Sequence, residues 1–389
     1  MKKITINKYY LYKLNEKSIK KKKKRIKQKK NKFINSYSNY RGNFSRKNKI
    51  FKLNRKKKLN EKLKNKQIEI INFPSNFSII KNHMEVIPLF ELINQKIYSG
   101  IPVNFNKKNV RHIGIESLLY LIATIDRFKH SGVEFWLSGV GPKFKKCREI
   151  FIQSGFLKFV KHNNKHIKYD KNYYQIKSGS IVDPLVSKSL IDFVMLQLEL
   201  EKKFLSGLYR MIIELMCNTR EHAYPPKNGQ SVTKWYIIAQ QNKEKEYIDF
   251  CFLDTGIGIP STVLKNFPEQ IKQLFYPLLS SIVSGVGFEP DMYSDFLKIS
   301  ETDLIVSTLQ GAFRTRTAQS YRGKGLPCIF DFSEKNYIQN LVVISHNGFF
   351  DVRNKNKKID LESRFFGTLY SWRISKQNII NSFTLLENE

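Results

Sequence analysis

Met211-Ile-Ile-Glu-Leu-Met-Cys-Asn-Thr-Arg-Glu-His-Ala223 is the stretch on which the fold turns. Leu208, Met211, Ile212 and Leu215 recur at i, i+3, i+4 and i+7, which predicts a helix with one apolar face. Arg210, Glu214, Asn218 and Glu221 lie three or four residues apart and share an adjoining stripe. A carboxylate and a carboxamide one turn apart, beside an apolar seam, can hold a metal and a water at the mouth of a pocket. The same stripe describes any amphipathic helix with a polar edge, so the flanking sequence has to decide. Pro225-Pro226 ends the helix.

Downstream, Val232 to Ala239 and Tyr247 to Leu253 are predicted strands. The second runs into Asp254-Thr-Gly256-Ile-Gly258-Ile-Pro260, a carboxylate at a strand end followed by glycines that let a ligand come close. Residues 261 to about 321 read as irregular and carry Arg314 and Arg316, with Arg322 just beyond; so long a connection suits a lid or short helices. Tyr321-Arg-Gly323-Lys324-Gly325-Leu-Pro327 follows, a Gly-x-Gly turn opening a helix, whose free amides and Lys324 suit a phosphate. Leu341 to Ser345 and Phe349 to Val352 read as a hairpin about His346-Asn347-Gly348. A last strand, about Phe365 to Ile374, contains Gly367-Thr368.

Upstream, Asp183 is a predicted N-cap with Pro184 in the first turn of a helix reaching about Phe204. Residues 170 to 183 read as a linker. From residue 68 to about 175 strands and helices alternate: a strand at Ile101 to Phe105, a helix at Ser117 to Phe128, a strand at Val133 to Leu137 and a helix at Lys145 to Ser154 stopped by Gly155. That alternation predicts helices packed on a sheet.

Composition sets the outer limits. At 389 residues with 41% hydrophobic content, the chain has length for two domains and real cores. No apolar run reaches the roughly 18 residues that span a bilayer. The N-terminus is charged from Lys2 and lacks the apolar core of a secretory signal. Cys147, Cys217, Cys251 and Cys328 stand singly, which argues against a metal cluster or disulfide framework and for reduced thiols in the cytoplasm. Up to Lys66 there are 27 lysines and arginines against Glu16 and Glu61, so this tail carries +25 of the net +35. Like-charge blocks such as Lys20 to Lys24 repel and favour a disordered arm. Such an arm, interleaved with Tyr9, Tyr37 and Phe44, could contact nucleic acid, or could be no more than a solvated extension.

Residues 68 to 175 resemble the STAS domain of bacterial anti-sigma-factor antagonists. The resemblance lies in a helix opening with Ile115-Glu-Ser-Leu118 between two strands, and in Ile150-Phe-Ile-Gln-Ser-Gly-Phe156-Leu-Lys-Phe159 closing the unit. In that family a serine at the start of that helix is phosphorylated by a kinase partner. Ser117 lies nearby, but the Asp-Ser-Ser/Thr-Gly pattern is absent, and Ser117 reads more simply as an N-cap.

Glu214-Leu-Met-Cys-Asn218-Thr-Arg-Glu221-His-Ala223, Asp254-Thr-Gly256-Ile-Gly258, Gly323-Lys-Gly325-Leu326 and Gly367-Thr368 resemble the N, G1, G2 and G3 boxes of the GHKL ATP-binding superfamily. The resemblance covers about residues 185 to 376 and implies the Bergerat fold, an α/β sandwich of a mixed sheet with helices on one face. ATP would lie between those helices and a lid at 260–322. It implies that Asn218 coordinates Mg2+ and that Glu221 stands beside it at the nucleotide. Asp254 would accept from the adenine amino group, with Thr368 supporting it through water. Gly256 and Gly258 would admit the purine, while Gly323, Lys324 and Gly325 would hold the phosphates. Glu214 would be the general base.

Pro327 stands where many members have another glycine, no phospho-acceptor histidine box precedes the ATP domain, and no room follows Gly367-Thr368 for the transducer domain of the gyrase and MutL types. Asn218-Thr-Arg-Glu221-His-Ala-Tyr224 instead resembles the anti-sigma-factor serine kinases, whose partners are STAS proteins. The expected organisation is therefore a basic tail at 1–67, a STAS-like α/β domain at 68–175, a GHKL domain at 183–376 and a polar tail at 377–389. The expected function is ATP-dependent lid closure that controls a protein partner, with Ser/Thr phosphorylation of that partner as one outcome. A slow ATPase switch and a non-enzymatic nucleic-acid-binding protein acting through the tail are the alternatives. Dimerisation is compatible with the superfamily, and nothing in the sequence locates an interface.

Overall fold

Strand–helix–strand alternation governs the first part of the chain, as a parallel pair needs a helical crossover. The computed structural model describes residues 68–130, 137–160, 169–221, 233–267, 270, 300–313, 325–353 and 358–387. Strand β1 (Glu69–Asn72), helix α1 (His83–Tyr98), β3 (Val103–Asn106), α2 (Ile115–His130) and β5 (Leu137–Val140) build a three-stranded parallel sheet in the order β1-β3-β5. The two-residue strands β2 (Asn76–Phe77) and β4 (His112–Ile113) pair beside it. Val86, Phe90, Ile93 and Ile97 bury one face of α1, and Leu118, Leu121, Ile122 and Ile125 one face of α2. Helices α3 (Lys145–Gln153) and α4 (Phe156–Val160) are separated at Gly155, which takes the expected left-handed conformation at φ +83°.

Ser117 is not an N-cap. Helix α2 begins two residues earlier, at Ile115, and the wholly buried Ser117 Oγ accepts from the Ile79 amide at 2.8 Å. The hydroxyl ties α2 to the loop after β2.

The stretch expected as a linker is strand β6 (Tyr173–Gly179). Asp183 then caps α5 (Pro184–Leu198), accepting from the amides of Leu185 and Val186 at 3.0 and 3.2 Å. Glu199 stops α5 in a left-handed conformation, and a 3-10 turn at Lys202–Leu205 leads into α6 (Ser206–Glu221), the helix read from the opening stretch. Strands β7 (Trp235–Asn242) and β8 (Tyr247–Asp254), then β9 (Gln339–Asp351) and β10 (Lys358–Ser375), complete a five-stranded sheet in the order β6-β7-β8-β10-β9. Between them lie α7 (Ile259–Asn266), α8 (Glu301–Leu309) and α9 (Gly325–Glu334), and α10 (Lys376–Glu387) follows β10. Every pairing in this sheet is antiparallel where a mixed sheet was expected. Short connections join β7 to β8 and β9 to β10, and short connections make antiparallel neighbours.

The expected hairpin at His346-Asn347-Gly348 does not form. Strand β9 runs straight through it, with His346 in a left-handed conformation at φ +52°. Gly348 serves packing instead of a turn: a Cβ there would lie 2.6 Å from Ile305 Cδ1 and 2.9 Å from the Thr302 amide, both on α8.

Alternation along the strands sends their side chains to two different cores. Phe250 and Phe252 of β8, with Tyr370 and Trp372 of β10, meet Met211 and Leu215 of α6 and apolar residues of α5, α7, α8 and α9. Cys251 and Leu253, with Tyr236, Ile238 and Leu369, meet Phe90, Leu118 and Ile122 of α1 and α2. Helices of residues 184–334 therefore cover one face, and the helices of the N-terminal α/β segment cover the other. Residues 68–389 form one compact unit. All four cysteines are free. Among the described residues no helix is long and apolar enough to cross a membrane.

Candidate functional site

Strand β8 delivers Asp254 to the end of the sheet on the same face as Phe250 and Phe252, the face that α6 covers. Its partner across the antiparallel pairing is Thr368 of β10. The Gly256 amide donates to Asp254 Oδ1 at 2.9 Å, and the Thr368 hydroxyl bonds the same carboxylate directly. Burial pushes the carboxyl up to about 6, against the opposing pull of the Gly256 amide, the Thr368 hydroxyl and His346. A carboxylate so held is ionised at neutral pH and close to titrating.

Two glycines shape this corner by what they lack. Gly367 has φ +85°, and a Cβ on it would lie 1.9 Å from the Asp254 carbonyl oxygen. Gly258 has φ +81°, and the room its side chain would need is taken by His346 Nε2 and Ser345 Oγ, at 2.6 and 2.8 Å. Both conformations favour glycine. Ser345 joins the strands, donating to the Gly367 carbonyl at 3.0 Å and accepting from the Ile259 amide at 3.0 Å at the start of α7. Its Oγ lies 3.2 Å from Thr368 Oγ1.

Helix α6, which covers the same face of the sheet, carries the other residues expected at the site. Met211, Leu215 and Met216 are wholly buried, while Glu214 and Asn218, one turn apart, are half-buried at their edge. The Nδ2 atom of Asn218 is buried without a hydrogen-bond partner. A carboxamide can present either atom at that place, and its oxygen is the hard donor that Mg2+ prefers. That oxygen fits a divalent cation that takes its remaining oxygens from phosphate and water, with the Glu214 carboxylate one turn away on the same helix. Among the described residues no group of three His, Cys, Asp or Glu gathers as a self-sufficient metal site.

Helix α9, which opens at Gly325, packs along α6. Burial raises the Cys328 thiol there, and the charges of Arg210, Asp331 and Glu214 all act on it, which sets the start of α9 beside the polar stripe of α6. Gly323, Lys324, Arg314 and Arg316 lie outside the described residues, as does the side chain of Glu221, the final residue of α6. Residues 271–299 and 314–322 of the expected lid lie outside them too, and its described parts include the helices α7 and α8.

The structure thus brings Asp254, Gly256 and Thr368 together and sets Glu214 and Asn218 on the helix that covers the same sheet face. Sequence reasoning missed Ser345 and His346. His346 is buried, its Nδ1 lies 3.6 Å from Glu301 Oε1, and Arg364 Nη2 approaches its ring at 3.3 Å. Nothing local marks either residue, as both sit within an ordinary apolar strand. The chain matches no protein-family model and no curated protein.

Proposed function

We propose that the chain is a regulatory ATP-binding protein of the GHKL type, in which nucleotide occupancy controls a protein partner. The observation that carries this is the pairing of Asp254 with Thr368 at the end of two inner strands, on the face covered by the helix bearing Glu214 and Asn218. Asp254 is an anionic acceptor, pinned by the Gly256 amide and backed by Thr368, and suits an exocyclic amine on a flat base. Gly367 lets β10 come close enough for Thr368 to reach it.

Asn218 would hold the cation through its carboxamide oxygen, and a bound Mg2+ would supply charge neutralisation at the phosphates. Glu214 is the group able to take a proton from an attacking water or protein hydroxyl. The α6–α9 contact supports a phosphate position next to that stripe, because Gly325 opens α9 and the free amides of a helix start favour anions. Transfer to a Ser/Thr of a partner and hydrolysis to phosphate both use these residues. The STAS-like reading of residues 68–175 favours the first, as STAS proteins are the partners of the anti-sigma-factor kinases.

Titration calorimetry of the full chain with Mg·ATP tests the pocket. Saturable binding that weakens at least tenfold in Asp254→Asn is the expected result. Absence of binding, or equal affinity in the variant, overturns the assignment.

A further inference from the structure

Between α2 and the end of the five-stranded sheet lies a cavity of about 180 Å3, on the side of the sheet away from Asp254. Tyr120, Ala123 and Arg127 line it from one face of α2, and Tyr236 and Phe366 face them from the sheet. Three aromatic rings and Ala123 form its apolar part, and Thr124, Asp126, His130, Lys234 and Thr255 join Arg127 in its polar part. It is somewhat larger than the engineered cavity of about 150 Å3 that holds benzene.

Most of the polar groups around it are already bonded within the protein. Tyr120 Oη is occupied by the Phe366 amide at 3.0 Å, and the Thr124 hydroxyl by the Tyr120 carbonyl at 2.8 Å. Asp126 is the one carboxylate of the lining, and its Oδ2 accepts from Lys234 Nζ at 2.6 Å and from Tyr236 Oη at 2.8 Å. Arg127 is different. Its guanidinium lies 4.6 Å over the Phe366 ring and donates through Nη2 to Asn94 Oδ1 at 2.8 Å, while its Nε is buried with no hydrogen-bond partner. Arg127 and Lys234 against Asp126 leave one positive charge at the cavity before His130 of the same lining is counted. A buried donor without an acceptor is costly, and an anion with a planar oxygen pair would satisfy it.

We propose that this cavity binds a small carboxylate monoanion with an apolar body of about the size of benzoate, its carboxylate on Arg127 and its body between Tyr120, Tyr236 and Phe366. The site also reaches the turn that carries Asp254. Thr255 and Gly256 line the cavity, Thr255 is bonded through both amide and hydroxyl to the Lys234 backbone at 2.9 and 3.2 Å, and Gly256 holds the Asp254 carboxylate from the other side. An occupant therefore restrains the reverse of the same turn. The binding stands on the cavity alone; its effect on nucleotide rests on the function proposed above.

The test uses the full chain, with benzoate and the uncharged benzyl alcohol as probes. Titration calorimetry is expected to give saturable benzoate binding at least tenfold tighter than benzyl alcohol. Arg127→Gln should erase that preference, and Arg127→Lys, which keeps the charge and loses the fork, should keep part of it. Circular dichroism verifies the fold of each variant, and the two-probe comparison in the unaltered chain needs no variant. Hydrogen exchange of the segment 253–258 should slow with benzoate. No saturable binding, equal affinity for the two probes, or undiminished preference in a folded Arg127→Gln overturns the proposal. Benzoate binding without Mg·ATP binding would leave this site standing and remove the nucleotide pocket.

Discussion

Gly367 presses its bare Cα against the Asp254 backbone, so closely that a Cβ would lie 1.9 Å from the Asp254 carbonyl oxygen. The contact fixes how near β10 can come to the turn after β8, and with it the reach of Thr368. Gly367→Ala adds a left-handed alanine, which costs about 1–2 kcal/mol, and forces backbone apart as well. A loss of about 3 kcal/mol or more is expected, read as a lower urea midpoint. Mg·ATP affinity should fall alongside it.

Asp254 is expected to trade stability for binding. Its folded carboxyl titrates near 6, above the ordinary value of 3.8, so the fold binds a proton more readily than the unfolded chain between those values. The favourable contribution of the protonated form is fully present below about pH 4 and is lost as pH rises through 6. At pH 7 the ionised group costs the free fold up to about 3 kcal/mol. Asp254→Asn should recover much of this, raising the thermal midpoint at pH 7 while weakening Mg·ATP. In the unaltered chain, Mg·ATP affinity should decline as pH falls below 6, and calorimetry between pH 5 and 8 measures it.

Glu214→Ala is expected to retain Mg·ATP within about threefold and to lower phosphate release or labelling of a partner by two orders of magnitude or more. Labelled γ-phosphate, followed into inorganic phosphate, this chain and other proteins of a lysate, measures all three fates together. Undiminished label in each would remove Glu214 from the chemistry.

Asp126 ties α2 to the start of β7 through Lys234 and Tyr236. Burial opposes its ionisation, but those two hydrogen bonds and the Lys234 charge prevail and hold its carboxyl below the ordinary value. Its contribution is present at neutral pH and is lost as pH falls through that lowered value. Asp126→Ala strands both donors and should cost about 1–3 kcal/mol, with the difference from the unaltered chain shrinking in acid. Denaturation at pH 7 and at pH 3 reads both.

Much of the framework that carries the candidate site was legible because local chemistry and tertiary context agree there. Alternation along Tyr247–Asp254 and the Asp-x-Gly ending give the strand and its turn, and the helix of 206–221 follows its apolar spacing. Two of the failures share one physical cause, glycines that serve packing instead of turns. Gly179 made its neighbourhood read as a linker, yet a Cβ there would lie 2.5 Å from the Trp235 ring, so the glycine admits indole to an edge strand. Gly348 after Asn347 carried a hairpin signal, and the neighbour that overrides it, α8, is more than thirty residues away in sequence. Ser117 read as a cap because helix starts are uncertain by a residue or two. That the helices α1 and α2 seal the back of the second sheet has no signature in either segment alone.

That seal means the chain cannot be divided at the seam between its two α/β segments. A fragment beginning near residue 169 would carry Ile238, Cys251, Leu253 and Leu369 bare on one side of its sheet, a hydrophobic wall with nothing to cover it. Such a fragment should self-associate instead of standing alone, so the proposed nucleotide binding has to be tested with residues 68–160 attached.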